Sequence, residues 1–254
     1  MMTSLATKIS FGGMMVALGL TSGCALDMGA GDTESSVDGT QEIRGRHRSD
    51  FQILNPDSRI RGKTLEQWGG EWWSWIYETP ATNHPALDAT GEFCHEGQQG
   101  PVFYLAGTFG GEANRTCTIR RNKPVLFPLI TFQADNCGIP PEDQLTNEEL
   151  VALLEDWPNT VTAATLEVDG VVIGSTPEEL SEFLTDTTQF SYVVPAEDSL
   201  YELFGLDFEG LCSPSFTRGY FIALSLDRGE HSIHFTGALD NGFAIDTSYQ
   251  LTVR

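Results

Sequence analysis

Apolar residues recur with two different periods along the chain, and the change of period separates a helix-bearing first part from a strand-rich second part. Thr64-Leu65-Glu66-Gln67 has the form of a capping box, in which the Thr64 side chain accepts from the third helical amide while Gln67 reaches back. A helix is predicted from there to about Tyr77, ending before Pro80. On a helical wheel Leu65, Trp68, Trp72, Trp75 and Ile76 share one face, which must be buried, and Trp73 and Tyr77 stand beside that stripe. Gly69 and Gly70 each cost about 1 kcal/mol relative to Ala in mid-helix, which argues for the close approach of another backbone. A second capping box, Thr146 to Glu149, opens a helix whose buried stripe is Leu150, Val151, Leu153, Leu154 and Trp157. Thr176-Pro177-Glu178-Glu179 reads as the start of a short third helix.

Val102 to Ala106 and Val125 to Ile130 are nearly continuous apolar runs, the mark of strands covered on both faces, and Pro128 places a bulge or an edge in the second. From about Val161 the period becomes two. Ala164, Leu166 and Val168 alternate with polar neighbours, and Asp169-Gly170 marks a tight hairpin into Val171 to Ile173. Phe190 to Val194, Tyr220 to Leu226, Ile233 to Phe235 and Tyr249 to Val253 alternate likewise. The expected fold is mainly β, an antiparallel β-sandwich with two or three helices, with α+β as the alternative. The globular unit is expected over 51–254, in one piece or as subdomains 51–158 and 159–254.

Residues 1–23 have another character. Lys8 precedes an apolar run, Ile9 to Leu20, too short for the ~20 residues of a membrane-spanning helix, and the segment reads as a secretory signal. Leu20-Thr21-Ser22-Gly23-Cys24 resembles the lipobox of bacterial lipoproteins, with Leu one position further from the cysteine than usual. Lipidation of Cys24 would anchor the chain to a membrane of the bacterial envelope, in the first instance the outer membrane; cleavage after Ala25 would release a secreted protein. Residues 24–50 carry few large apolar side chains and are expected to form a disordered tether, with Arg44, Arg46, His47 and Arg48 as a basic run.

Export gives the cysteines a role. Cys94, Cys117, Cys137 and Cys212 remain for the folded unit, and an even count in an exported chain favours disulfides over zinc, whose usual spacings are missing. Cys94 with Cys117 is the expected first pair, because it brackets a hairpin of Val102–Ala106 and Thr116–Arg120 joined by Gly107–Asn114; Cys137 with Cys212 is the second. A formal charge of −22 argues against a nucleic-acid partner.

The chemistry-bearing candidates are few. His231 and His234 form an H-x-x-H string, yet residues three apart on a strand face opposite sides, so no metal site is expected there. His84, His95 and Glu96 occupy a turn-rich loop, Thr79–Gly100, where they could converge as a general acid–base pair. Trp73 and Tyr77 are the candidate ligand-binding aromatics. No organic cofactor is expected; calcium is the ion that acidic loops of this kind could hold, on Asp88, Thr90 and Glu92 or on Asp240, Asn241 and Asp246.

The ordered series Trp68…Trp72-Trp73-Ser74-Trp75, Cys94, Gly100-Pro101-Val102…Leu105-Ala106-Gly107, Arg115-Thr116-Cys117-Thr118, Phe127-Pro128 and His231…His234-Phe235 resembles a family of exported bacterial proteins of unknown function. The closing strands also resemble the last hairpin of immunoglobulin-like modules. Neither resemblance supplies a catalytic residue. The reading is a surface-anchored or secreted envelope protein acting as a binding or structural module, with a secreted hydrolase acting at His84 and His95 as the alternative.

Overall fold

The computed structural model describes residues 50–254, so the leader, Cys24 and most of the tether lie outside the described residues. Two five-stranded sheets pack face to face, and a helix covers the outer face of one of them. The first sheet contains β1 (Phe51–Ile53), β2 (Phe103–Tyr104), β4 (Val125–Asp135), β7 (Thr188–Val194) and β8 (Gly210–Leu226). The second runs β3 (Gly111–Ile119), β10 (Ala244–Val253), β9 (Gly229–Leu239), β5 (Val161–Val168), β6 (Val171–Gly174). Both sheets draw strands from either side of residue 158.

The mainly β class and the sandwich follow the alternation, but the pairing is not purely antiparallel: β3 runs parallel to β10, and β2 parallel to β4. The expected hairpin across Gly107–Asn114 does not form, because its two halves are in different sheets. Pro128 does mark a bulge, since the register of β4 on β8 shifts between Pro128 and Ile130.

The core between the sheets holds Phe127, Ile222 and Leu224 from the first and Leu166, Phe235, Tyr249 and Leu251 from the second. Helix α1 (Leu65–Glu78) builds the second core on the other face of the first sheet, against Leu126, Tyr192, Phe221 and Ala223. The middle of the first sheet is thus buried on both sides, which accounts for the unbroken apolar runs of β2 and β4. The predicted stripe of α1 is buried, and its capping box is formed by Thr64 and Gln67. Gly69 and Gly70 make room for side chains rather than for a backbone: an added Cβ would stand 2.9 Å from the Phe221 ring and 2.8 Å from Phe190 Cβ.

Helix α2 (Asn147–Asp156) forms as its capping box predicts, with Leu150 and Leu154 buried. Residues 177–180 form a turn leading into a 3-10 segment, Ser181–Phe183, not the short α-helix expected there; the third α-helix is the single turn α3 (Leu200–Leu203), capped by Ser199. Among the described residues no helix is long and apolar enough to cross a membrane.

Candidate functional site

Cys94 is bonded to Cys117 and Cys137 to Cys212. Both pairs match the expectation, although the first joins the 79–100 loop to β3 instead of bracketing a hairpin. The loop is held further by Asp88, whose Oδ1 accepts from Thr90 N and Oγ1 and whose Oδ2 accepts from Phe93 N. Burial pushes the Asp88 carboxyl up, and these bonds outweigh it, so its pKa falls below the ordinary value. Those oxygens, considered for calcium, are engaged in closing the loop; in the other set, Asp246 accepts from His234 and the Asn241 side chain from Phe243 N.

Arg115 is the central strut beneath this loop. It is buried on β3, with Nε donating to Asp88 O, and Nη1 to Ala106 O, Gly107 O and Tyr249 Oη. A guanidinium has five donors in a fixed plane, so it ties several carbonyls at once where a lysine would meet fewer.

The two candidate histidines of the loop do not converge. His84 is buried; its Nε2 donates to Ile76 O at 2.8 Å and its Nδ1 accepts from Ala86 N at 3.0 Å. Burial, aided by the nearby Arg115 charge and opposed by the Ile76 bond, lowers its pKa to about 4. His95 is exposed, edge-on to Phe103, and Glu96 meets Trp75 through its main-chain carbonyl. With both ring nitrogens of His84 taken by the backbone, the geometry gives these three residues no shared acid–base arrangement. His231 and His234 face opposite sides of β9 as expected, paired with Asp169 and Asp246.

Trp73 and Tyr77, the candidate ligand-binding aromatics, lie inside the fold. Both are buried, and they stack on one another with ring centroids 5.4 Å apart. Together they form one wall of a cavity of about 100 Å³, partly open to solvent. Its floor is β4 from Pro128 to Gln133, its far wall Trp157, Leu239, Phe243 and Ile245, and its rim Ala86 with Gly107 to Phe109. The cavity exists because β2 ends at Tyr104: beyond Leu126, β4 has no strand partner on that side among the described residues, and α1 and the β9–β10 hairpin flank the bare edge.

No protein-family model matches the chain, and the curated proteins include no significant match to it.

Beneath the cavity lies a polar network absent from the sequence reading. Asp135 Oδ2 accepts from Tyr192 at 2.7 Å, from Ser215 at 2.6 Å and from the Gln133 amide. Tyr77 donates to Gln133 Oε1 at 2.9 Å. Because the Tyr192 proton goes to Asp135, the 2.6 Å contact with Tyr201 must have Tyr201 as donor. Burial is the main cause that drives the phenol pKa values of Tyr77, Tyr192 and Tyr201 upward, so these rings act as fixed hydrogen-bond donors. The inward alternation of Tyr192 was legible; its partner Asp135, at the end of an apolar strand, carried no periodic signal. One donor is left over at the cavity: Trp157 lines it, and the Trp157 indole N–H is buried without a hydrogen-bond partner.

Proposed function

We propose that this chain is an exported binding module, anchored to the cell envelope through Cys24, whose aromatic cavity takes a single ring or short aliphatic group carrying a hydrogen-bond acceptor. The observation that carries the reading is an apolar cavity walled by Trp72, Trp73, Tyr77 and Trp157; the indole N–H of Trp157 is buried without a hydrogen-bond partner. An engineered apolar cavity of about 150 Å³ accepts benzene, so a space of this size suits a ligand of one ring or less. The orphaned Trp157 donor favours a carbonyl or hydroxyl oxygen on it, since a buried donor left unpaired costs about 1–3 kcal/mol. The lining contains no imidazole, carboxyl, thiol or amine, which favours binding over catalysis. The two disulfides support the exported setting.

The test is titration with acetophenone, cyclohexanone and toluene, followed by tryptophan fluorescence and calorimetry. The oxygen-bearing probes should bind more tightly than toluene, and Trp157→Phe should erase that preference. Gly107→Val adds volume at the rim, where an added Cβ meets Ile245 at 3.6 Å, an ordinary contact. It should weaken all three probes about tenfold. No saturable signal from any probe would sink the proposal.

A further inference from the structure

The described residues contain ten Lys and Arg side chains, and eight of them lie at one end of the molecule. Arg59, Arg61 and Lys63 stand on a tight loop closed by the Ile60–Lys63 bridge. Arg61 donates to Asn122 O at 2.6 Å, which sets that loop beside the turn carrying Arg120, Arg121 and Lys123. The Arg121 amide donates to Arg254 O, and Arg254 N to Ile119 O, bringing in the end of β10. Opposite it in the ladder is Gly229, next to Arg228 in the β8–β9 turn. Six of the eight are exposed, and Lys63 and Lys123 are half-buried.

The two remaining cations do not offset the rest of the surface: Arg115 is buried and Arg218 is paired with Glu155. The basic end has acids of its own. Asp50, Asp57, Asp227 and Glu230 share it, while Glu71 is paired with Lys63 and Asp169 with His231. The result is a modest cationic excess at one end of a strongly anionic body, a charge separation along the molecule.

The chain enters the fold at this same end. Asp227 N donates to Asp50 O, so Asp50, the first described residue, lies beside Arg228; Arg44, Arg46 and Arg48 precede it in the sequence. We infer that the end formed by the 59–63 loop, the 120–123 turn, Arg228 and Arg254 is a docking surface for an anionic lipid bilayer, which it faces while the acidic body points away. Two observations favour a membrane over a soluble polyanion: Asp50, the first described residue and the one through which the sequence connects back to Cys24, lies at this surface, and the net negative charge repels a polyanion able to wrap the whole molecule. Each Lys or Arg held near an anionic leaflet raises the partition by about fivefold, and the attraction fades within a Debye length, so only cations at the contacting end count.

The test uses the mature chain from residue 24 with Cys24→Ser, so its outcome is independent of acylation and of the cavity. The chain is sedimented at low salt with vesicles of phosphatidylcholine alone or with about one-third phosphatidylglycerol. It should bind only the anionic vesicles, and high salt should release it. Arg61→Glu/Arg120→Glu/Arg121→Glu should lower binding at least a hundredfold, and Arg228→Glu/Arg254→Glu, which leaves the Arg61 bond to Asn122 intact, should lower it by at least tenfold. No binding to the anionic vesicles overturns the inference. So does loss only in Arg44→Glu/Arg46→Glu/Arg48→Glu, which would assign the contact to the tether, or capture of dextran sulfate without capture of vesicles.

Discussion

His84 sits where an acid–base residue was sought and acts instead as a neutral linchpin. It spans from the carbonyl of Ile76, in the last turn of α1, to the amide of Ala86 on the cavity rim. In a neutral imidazole one nitrogen donates and the other accepts, and this site uses both; protonation would turn the acceptor facing Ala86 N into a donor. The pKa near 4 therefore has a consequence for stability. The folded pKa lies below that of an unfolded histidine, so the unfolded chain takes up the proton first as pH falls. The stabilisation is complete above about pH 6.5 and is lost down to the folded value. Between pH 7.5 and pH 5 the loss amounts to about 2 kcal/mol. Urea unfolding at the two pH values checks this: His84→Gln should be less stable at neutral pH and should lack that part of the pH dependence. A variant with the wild-type slope would show that other groups govern it. Sequence alone flagged His84 for its chemistry; that its nitrogens are bonded to backbone groups depends on a tertiary contact with no local signature.

At the scale of elements, capping boxes and alternation were easily read, because each is set by neighbours within four residues. Helices α1 and α2, strands β5 to β7, β9 and β10, and the second half of β8 from Tyr220 follow from such patterns, whereas the first half of β8, from Gly210, does not. What escaped was pairing. Val102–Ala106 and Thr116–Arg120 looked like two arms of a hairpin because a glycine-rich stretch joins them, yet that stretch carries the chain from one sheet to the other. The bulge in β4 was foreseen from Pro128, but its counterpart was not: Gly237 on β9. An added Cβ at Gly237 would lie 2.7 Å from Ile130 Cβ and 3.0 Å from Leu129 O, closer than packed atoms approach. The glycine is what lets the bulge press against the facing sheet, so Gly237→Ala should cost about 2–3 kcal/mol by forcing the sheets apart. Gly107→Ala, whose new methyl meets only ordinary contacts, is the control and should change stability little. Equal unfolding midpoints for the two variants would refute this account of the bulge.

For the whole molecule, the disulfides decide how the long-range pairings hold. Local signals place strands; nothing local places β3 beside β10, 134 residues apart at the Arg115–Tyr249 contact. Cys94–Cys117 closes a separation of 23 residues and Cys137–Cys212 one of 75. Chain entropy alone gives about 3 kcal/mol for the first and about 4 kcal/mol for the second, so Cys137→Ala/Cys212→Ala should be the more destabilised pair in urea. Function should rank them in the opposite order. The 94–117 bond pins the loop that carries Ala86, and Ala86 lines the cavity, whereas the 137–212 bond lies among the residues around Asp135. Cys94→Ala/Cys117→Ala should therefore weaken acetophenone binding more than Cys137→Ala/Cys212→Ala does, when both are compared under conditions where each is fully folded. If the two pairs rank alike in stability and in binding, the loop is not what shapes the cavity, and its walls are set by the two sheets and α1 alone.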